Sequence, residues 1–167
     1  HRVRKLLLWE RIMLGGGALA LIALAIFLGT QFLADQSGAI YAIAVLPLQN
    51  LSGDPEQEYF ADGMTDLLIG DLARIGARRV LSRHSMMQYK GTTKTLPEIA
   101  AELDVDAIVE GTVFREGDTV RITAQLIRAE TDEQRWSDRF QRALTGALAL
   151  PTEVARAIAR AIGVSVP

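Results

Sequence analysis

The chain contains no cysteine and only two histidines, His1 and His84. The first absence excludes disulfides, zinc–thiolate sites and thiol nucleophiles, while leaving the compartment open. The second excludes a multi-histidine metal centre in the region around His84. Net charge is only −2 over 167 residues, so bulk charge points to no nucleic-acid partner. There is no Ser-His-Asp set, no metal-ligand spacing and no phosphate loop. Gly15–Gly17 lacks a following Lys-Ser/Thr and opens an apolar run instead. An initiator methionine is missing and the chain closes on a helical pattern, so it reads as a piece of a longer protein.

Charge is missing from one long stretch. Ile12–Leu33 is 22 residues without Asp, Glu, Lys or Arg. At ~1.5 Å per residue that is about 33 Å of helix, enough to cross a hydrocarbon core of ~30 Å. A buried helix that is apolar all round does not suit so small a domain. The run is too long for a signal peptide and has no clear small-residue cleavage site. Arg2, Arg4, Lys5 and Arg11 lie on its amino side, whereas no Lys or Arg follows until Arg74. The positive-inside rule therefore predicts a cytoplasmic flank at 1–11, a transmembrane helix at 12–33, a linker at 34–39 and a domain at 40–164 outside the cytoplasm.

Ile43–Leu46 reads as a short buried strand ended by Pro47. Asn50, Ser52, Gly53, Asp54 and Pro55 are turn residues, and Asp54 caps a helix whose first position is Pro55. That helix runs to about Ile75, with Phe60, Met64, Leu67, Leu68, Leu72 and Ile75 as its core stripe. Glu58, Asp62 and Asp66 recur at i, i+4, i+8, which suits a solvated face better than a catalytic or metal site. Asp71 points into the apolar arc and requires an arginine or a backbone partner there. Arg78–Arg83 is a short strand candidate. Arg83–Lys94 has no apolar period and reads as irregular; in it Arg83, Tyr89 and Lys90 form a candidate interaction surface, against the plainer reading of a loop pinned by Tyr89.

Thr95-Leu-Pro-Glu98 is a capping box opening a short helix to Leu103. Ala107–Phe114, Thr119–Arg128 and Gln134–Phe140 read as an antiparallel meander, with Arg115–Asp118 as the first hairpin loop. Glu110, in mid-strand, suits a cross-strand pair with Arg121 or Gln125. A last amphipathic helix runs from about Pro151 to Ile162.

Several motifs in one order resemble a known family. They are IAVLPLQNLSGDPEQEYFADGMTDLL from Ile43, the run from Arg78 to Ile127, WSDRF from Trp136, and EVARAIARAI from Glu153. Together, from about Ile40 to about Ile162, they resemble a TolB-like extracytoplasmic domain of the TolB amino-terminal and FlgO-like kind. Pro151 departs from the polar residue usual at that place and leaves the last helix start open. The resemblance implies a non-catalytic sensing or interaction domain set between a signalling module and TPR repeats. The signalling module would be a winged helix, a Ser/Thr kinase or a nucleotide cyclase. Cyclases with this domain often lack a span, which favours the first two.

The expected fold class is α/β: one transmembrane helix, then a mixed-sheet α/β sandwich with an antiparallel meander. No cofactor, metal or catalytic residue is expected. The partners expected are the lipid bilayer, a protein or the chain's own TPR repeats, and a second copy in a homodimer. The location would be a bacterial inner membrane with the domain periplasmic. Against this stand a structural envelope-assembly module and an unrecognised enzyme domain; a lipoprotein version fails for want of an acceptor cysteine.

Overall fold

Apolar alternation and turn chemistry divide the chain from Ala39 onward into six strands and four helices. The computed structural model describes residues 39–77 and 79–165. The basic flank, the expected span, the linker up to residue 38 and Arg78 lie outside the described residues. Among the described residues no helix is long and apolar enough to cross a membrane.

The strands are β1 (Ala42–Val45), β2 (Gln49–Asn50), β3 (Arg79–Val80), β4 (Ala107–Glu116), β5 (Thr119–Arg128) and β6 (Glu133–Ala143). The helices are α1 (Glu58–Ile75), α2 (Arg83–Met87), α3 (Leu96–Leu103) and α4 (Leu150–Ala161). They build a mixed sheet in the order β3-β1-β4-β5-β6, with β2 also on β4. β1 runs parallel to β3 and β4, and the β4-β5-β6 meander is antiparallel. This is the mixed α/β sheet with a meander that the alternation foretold. All four residues of β1 are buried, as a central parallel strand requires.

Local signals set the ends of the helices. Asp54 accepts the Glu56 N–H at 2.9 Å and the Gln57 amide at 3.2 Å. Pro55–Gln57 forms one 3-10 turn before α1 begins. Gly76, at φ 97°, ends α1 in the left-handed region that glycine tolerates. Both bonds of the Thr95/Glu98 capping box are present at α3. The first hairpin is tighter than expected. β4 extends to Glu116, leaving Gly117 and Asp118 as a two-residue turn with Gly117 at φ 53°. β6 likewise extends beyond both ends of Gln134–Phe140.

Two expectations fail on packing. Leu67, assigned to the core stripe, is 43% exposed, and Ala61, Thr65 and Ile69 are buried on α1 instead. Arg83–Lys94 is not irregular throughout, because Ser82 caps the five-residue α2 with its hydroxyl toward Ser85 N.

The sheet's two faces are covered unequally. Val109, Val113, Val120, Ile122, Ala124 and Leu126 are buried on the face toward α1 and α4, which pack on each other. The other face carries Glu110, Thr112 and Phe114 opposite Gln125, Thr123 and Arg121. There α3 and Tyr89–Lys94 cover part of it and leave a cleft.

Candidate interaction cleft

The cleft begins where Pro47 interrupts the first strand. Leu46 N–H still bonds to Val109 O at 2.8 Å. Two residues later the backbone has left β4, and Leu48 N–H finds the Thr65 hydroxyl at 3.0 Å. Thr65 is fully buried and donates in turn to Ala61 O at 2.9 Å, so one hydroxyl satisfies the break from both sides. The strand resumes as β2, with Gln49 opposite Thr112. Gly111 faces the break. A Cβ there would lie 2.3 Å from Thr123 O, so only glycine fits.

The resulting space is about 560 Å³, within the size of ligand sites. Glu110 and Gln125, hydrogen-bonded across the strands, form its floor. Tyr89, Lys90 and Lys94 stand on its wall.

The wall is held by charge. Lys90 Nζ reaches Asp62 at 2.6 Å and Glu58 at 3.0 Å. Both contacts, that to Asp62 first, hold the Lys90 ammonium above its ordinary value, and the Lys90 hydrogen bond holds Glu58 below the carboxylate value. Lys94 Nζ meets Glu102 at 2.5 Å and lies 5.8 Å from the centre of the Tyr89 ring. Tyr89 donates to Glu102 at 2.9 Å. Lys94, then Tyr89, lower the Glu102 carboxyl; burial, then the Glu102 contact, raise the Tyr89 hydroxyl. The ladder Glu58, Asp62, Asp66 is thus no merely solvated face. It meets Lys90 twice and Arg83 at 3.9 Å.

The predicted residues separate. Tyr89 and Lys90 both line the cleft, while Arg83 lies outside it. Tyr89 is only 8% exposed, so its ring belongs to the core rather than to an open surface. Asp71, 8% exposed, accepts from Arg74 at 2.8 Å and from the Thr152 hydroxyl at 2.5 Å, joining α1 to α4. Glu110 pairs with Gln125, whereas Arg121 bonds Gln141 at 3.3 Å and lies over Phe114.

Thr65, Gly111, Lys94 and Glu102 were missed. Only Glu102 left a trace, one turn beyond the capping Glu98. Every charged side chain named in the cleft is occupied by an opposite charge, an amide or the Tyr89 hydroxyl. The arrangement is suited to recognition, with Lys90 and Lys94 presented beside the carboxylates that hold them. Among the described residues no cluster of three or more His, Asp or Glu could hold a metal ion.

No protein-family model matches the chain. It is 42% identical over 123 residues to the protein named "Putative adenylate cyclase 3" of Rhizobium meliloti (strain 1021); the match covers 74% of the chain and 21% of that relative. The chain therefore spans about a fifth of the length of the curated relative it matches. Solved structures share the fold, two of them as follows. Lipoprotein GNA1162 from Neisseria meningitidis superposes with a TM-score of 0.53 at 19% identity, covering 71% of this chain and 98% of that one. TolB from Acinetobacter baumannii gives 0.55 at 15% identity, covering 75% and 29%. The fold is thus TolB-like, in agreement with the resemblance read from the motifs.

Proposed function

We propose that residues 40–164 form a non-catalytic sensing and protein-interaction domain of a single-pass membrane signalling protein. The observation that carries this reading is the 42% identity to a stretch making up 21% of a longer protein named as a cyclase. A domain that occupies a fifth of an enzyme and offers a cleft of paired charges is better fitted to regulate than to react. The name of that relative also shifts the proposed output toward a cyclase and away from the winged helix or kinase.

In this reading the helix at 12–33 holds the domain on the periplasmic side of a bacterial inner membrane. The cleft around Lys90 and Lys94 receives a protein partner or the chain's own TPR repeats, and occupancy alters dimerisation or juxtamembrane geometry. A second reading, a structural envelope-assembly module, draws on the fold shared with a lipoprotein and with TolB.

The test is a pair of reporters fused in turn after Ile162, one active only outside the cytoplasm and one only inside. Signal from the outside reporter is expected; signal from the inside one would overturn the orientation. In the full-length protein, Lys90→Glu with Lys94→Glu should change signalling output without loss of the protein from the membrane. Unchanged output would favour the assembly reading.

A further inference from the structure

β6 is the sheet's long edge. Among the described residues nothing pairs with its outer side, and nine of its eleven residues are exposed. The opposite edge, β3, has two residues and offers little to a partner. The outward groups of β6 are identifiable. Arg139 N–H donates to the Asp138 carboxylate at 2.7 Å rather than to β5, and Gln141 O accepts from Arg142 at 2.9 Å. Outward backbone groups therefore belong to Ser137, Arg139, Gln141 and Ala143, since alternate residues of a strand face one side. The single irregularity lies near Arg135, opposite Leu126/Ile127, and leaves Trp136–Ala143 regular.

Charges on an edge strand ordinarily discourage pairing. Within the regular segment Trp136–Ala143 only one register brings opposite charges together. Two copies of β6 related by a two-fold axis must set odd residues against odd. Centring the axis on Ser137 opposes Arg135 to Arg139; centring it on Asp138 or Arg139 opposes like charges across the axis itself. Centring it on Phe140 opposes Asp138 to Arg142 twice, Arg139 to Gln141 twice, and Phe140 to Phe140. The Arg142 guanidinium already holds Glu153 at 2.8 Å, so it is fixed on the face where the second Asp138 arrives.

We propose that β6 is a self-association edge, pairing antiparallel with β6 of a second copy about a two-fold axis through Phe140. The sheet becomes continuous across the two copies. This stands apart from the cleft, which lies on another part of the sheet.

These 167 residues hold no cysteine, so with any cysteine elsewhere in the protein replaced by serine, introduced thiols report cleanly. Single cysteines placed at 137 through 141 in the full-length, membrane-embedded protein should cross-link to themselves best as Phe140→Cys, because only that position meets its own copy. Phe140→Cys also removes packing, so the exposed pair Arg139→Cys and Gln141→Cys provides a second measure. Together in one chain they should cross-link, and singly they should not. Adding Asp138→Arg should reduce that cross-linking about tenfold, as two opposite-charge pairs become like-charge pairs. A maximum at any position other than 140, no cross-linking at any position, or indifference to Asp138→Arg would overturn the proposal.

Discussion

The two halves of the sheet are made from different strands. In the parallel half, β3 and β1 are two and four residues long, and β1 is buried throughout. In the antiparallel half, β5 and β6 run ten and eleven residues, and β6 meets solvent along most of its length. The short half owes its order to helices and side chains that arrive from far along the chain. The long half owes its order to its own ladder and to the tight turn at Gly117. Burial is complete in β1, alternates along β5 and is lost in β6. We therefore expect β1 to set stability and β6 to tolerate change and meet partners.

The sharpest way to break that division is at the join. Gly111→Ala should cost at least about 3 kcal/mol or prevent folding, because a backbone carbonyl of β5 occupies the space a Cβ needs. Denaturant titration checks it. Next in size is a paired comparison. Ile43→Ala, in the buried parallel half, should cost about 2–5 kcal/mol. Phe140→Ala should cost less, although the side chain is larger, because Phe140 is only partly buried. The opposite ranking of unfolding free energies would abolish the distinction.

Asp71→Asn and Thr152→Val test the clasp between α1 and α4. Each should cost about 1–3 kcal/mol, and a double-mutant cycle should show coupling.

The smallest expected effect is electrostatic. Hydrogen bonds from Lys90, from Thr95 and from Lys94 depress Glu58, Glu98 and Glu102 respectively in the folded state. Depressed carboxylates bind fewer protons folded than unfolded, so their contribution is present above pH 4.5 and is lost as pH falls through the lower folded values. These groups are exposed, so the loss should be modest and should shrink in high salt. Denaturant midpoints measured across acid pH should show it, and Glu102→Gln should flatten the curve.

Features decided by neighbours in sequence were legible. Asp54–Pro55 fixed the 3-10 turn that leads into α1, Thr95 and Glu98 the start of α3, and alternation from Val120 to Leu126 the buried face of β5. Asp71 was legible as an anomaly, a carboxylate on an apolar arc, though Thr152 as its partner was not. The cleft was barely legible. Leu48 and Thr65 lie 17 residues apart, Lys90 and Asp62 lie 28 apart, and no period links either pair. Leu67 was misplaced because helical angle alone does not say how far a neighbouring helix reaches around the arc. The short helix at Arg83 escaped notice because it is held by one serine cap and lacks an apolar stripe.

One further contact bears on how the molecule comes into being. The Asp106 carboxylate accepts the backbone N–H groups of Tyr41 at 2.8 Å and Ala42 at 2.9 Å, across 65 and 64 residues. β1 leaves the ribosome before the clamp that receives it. At ~5–20 residues per second the first strand waits roughly 3–13 s for Asp106 to follow. During that interval its apolar residues have no sheet to join. The domain's first strand is thus exposed to misassembly until the chain 64 and 65 residues beyond it has been made.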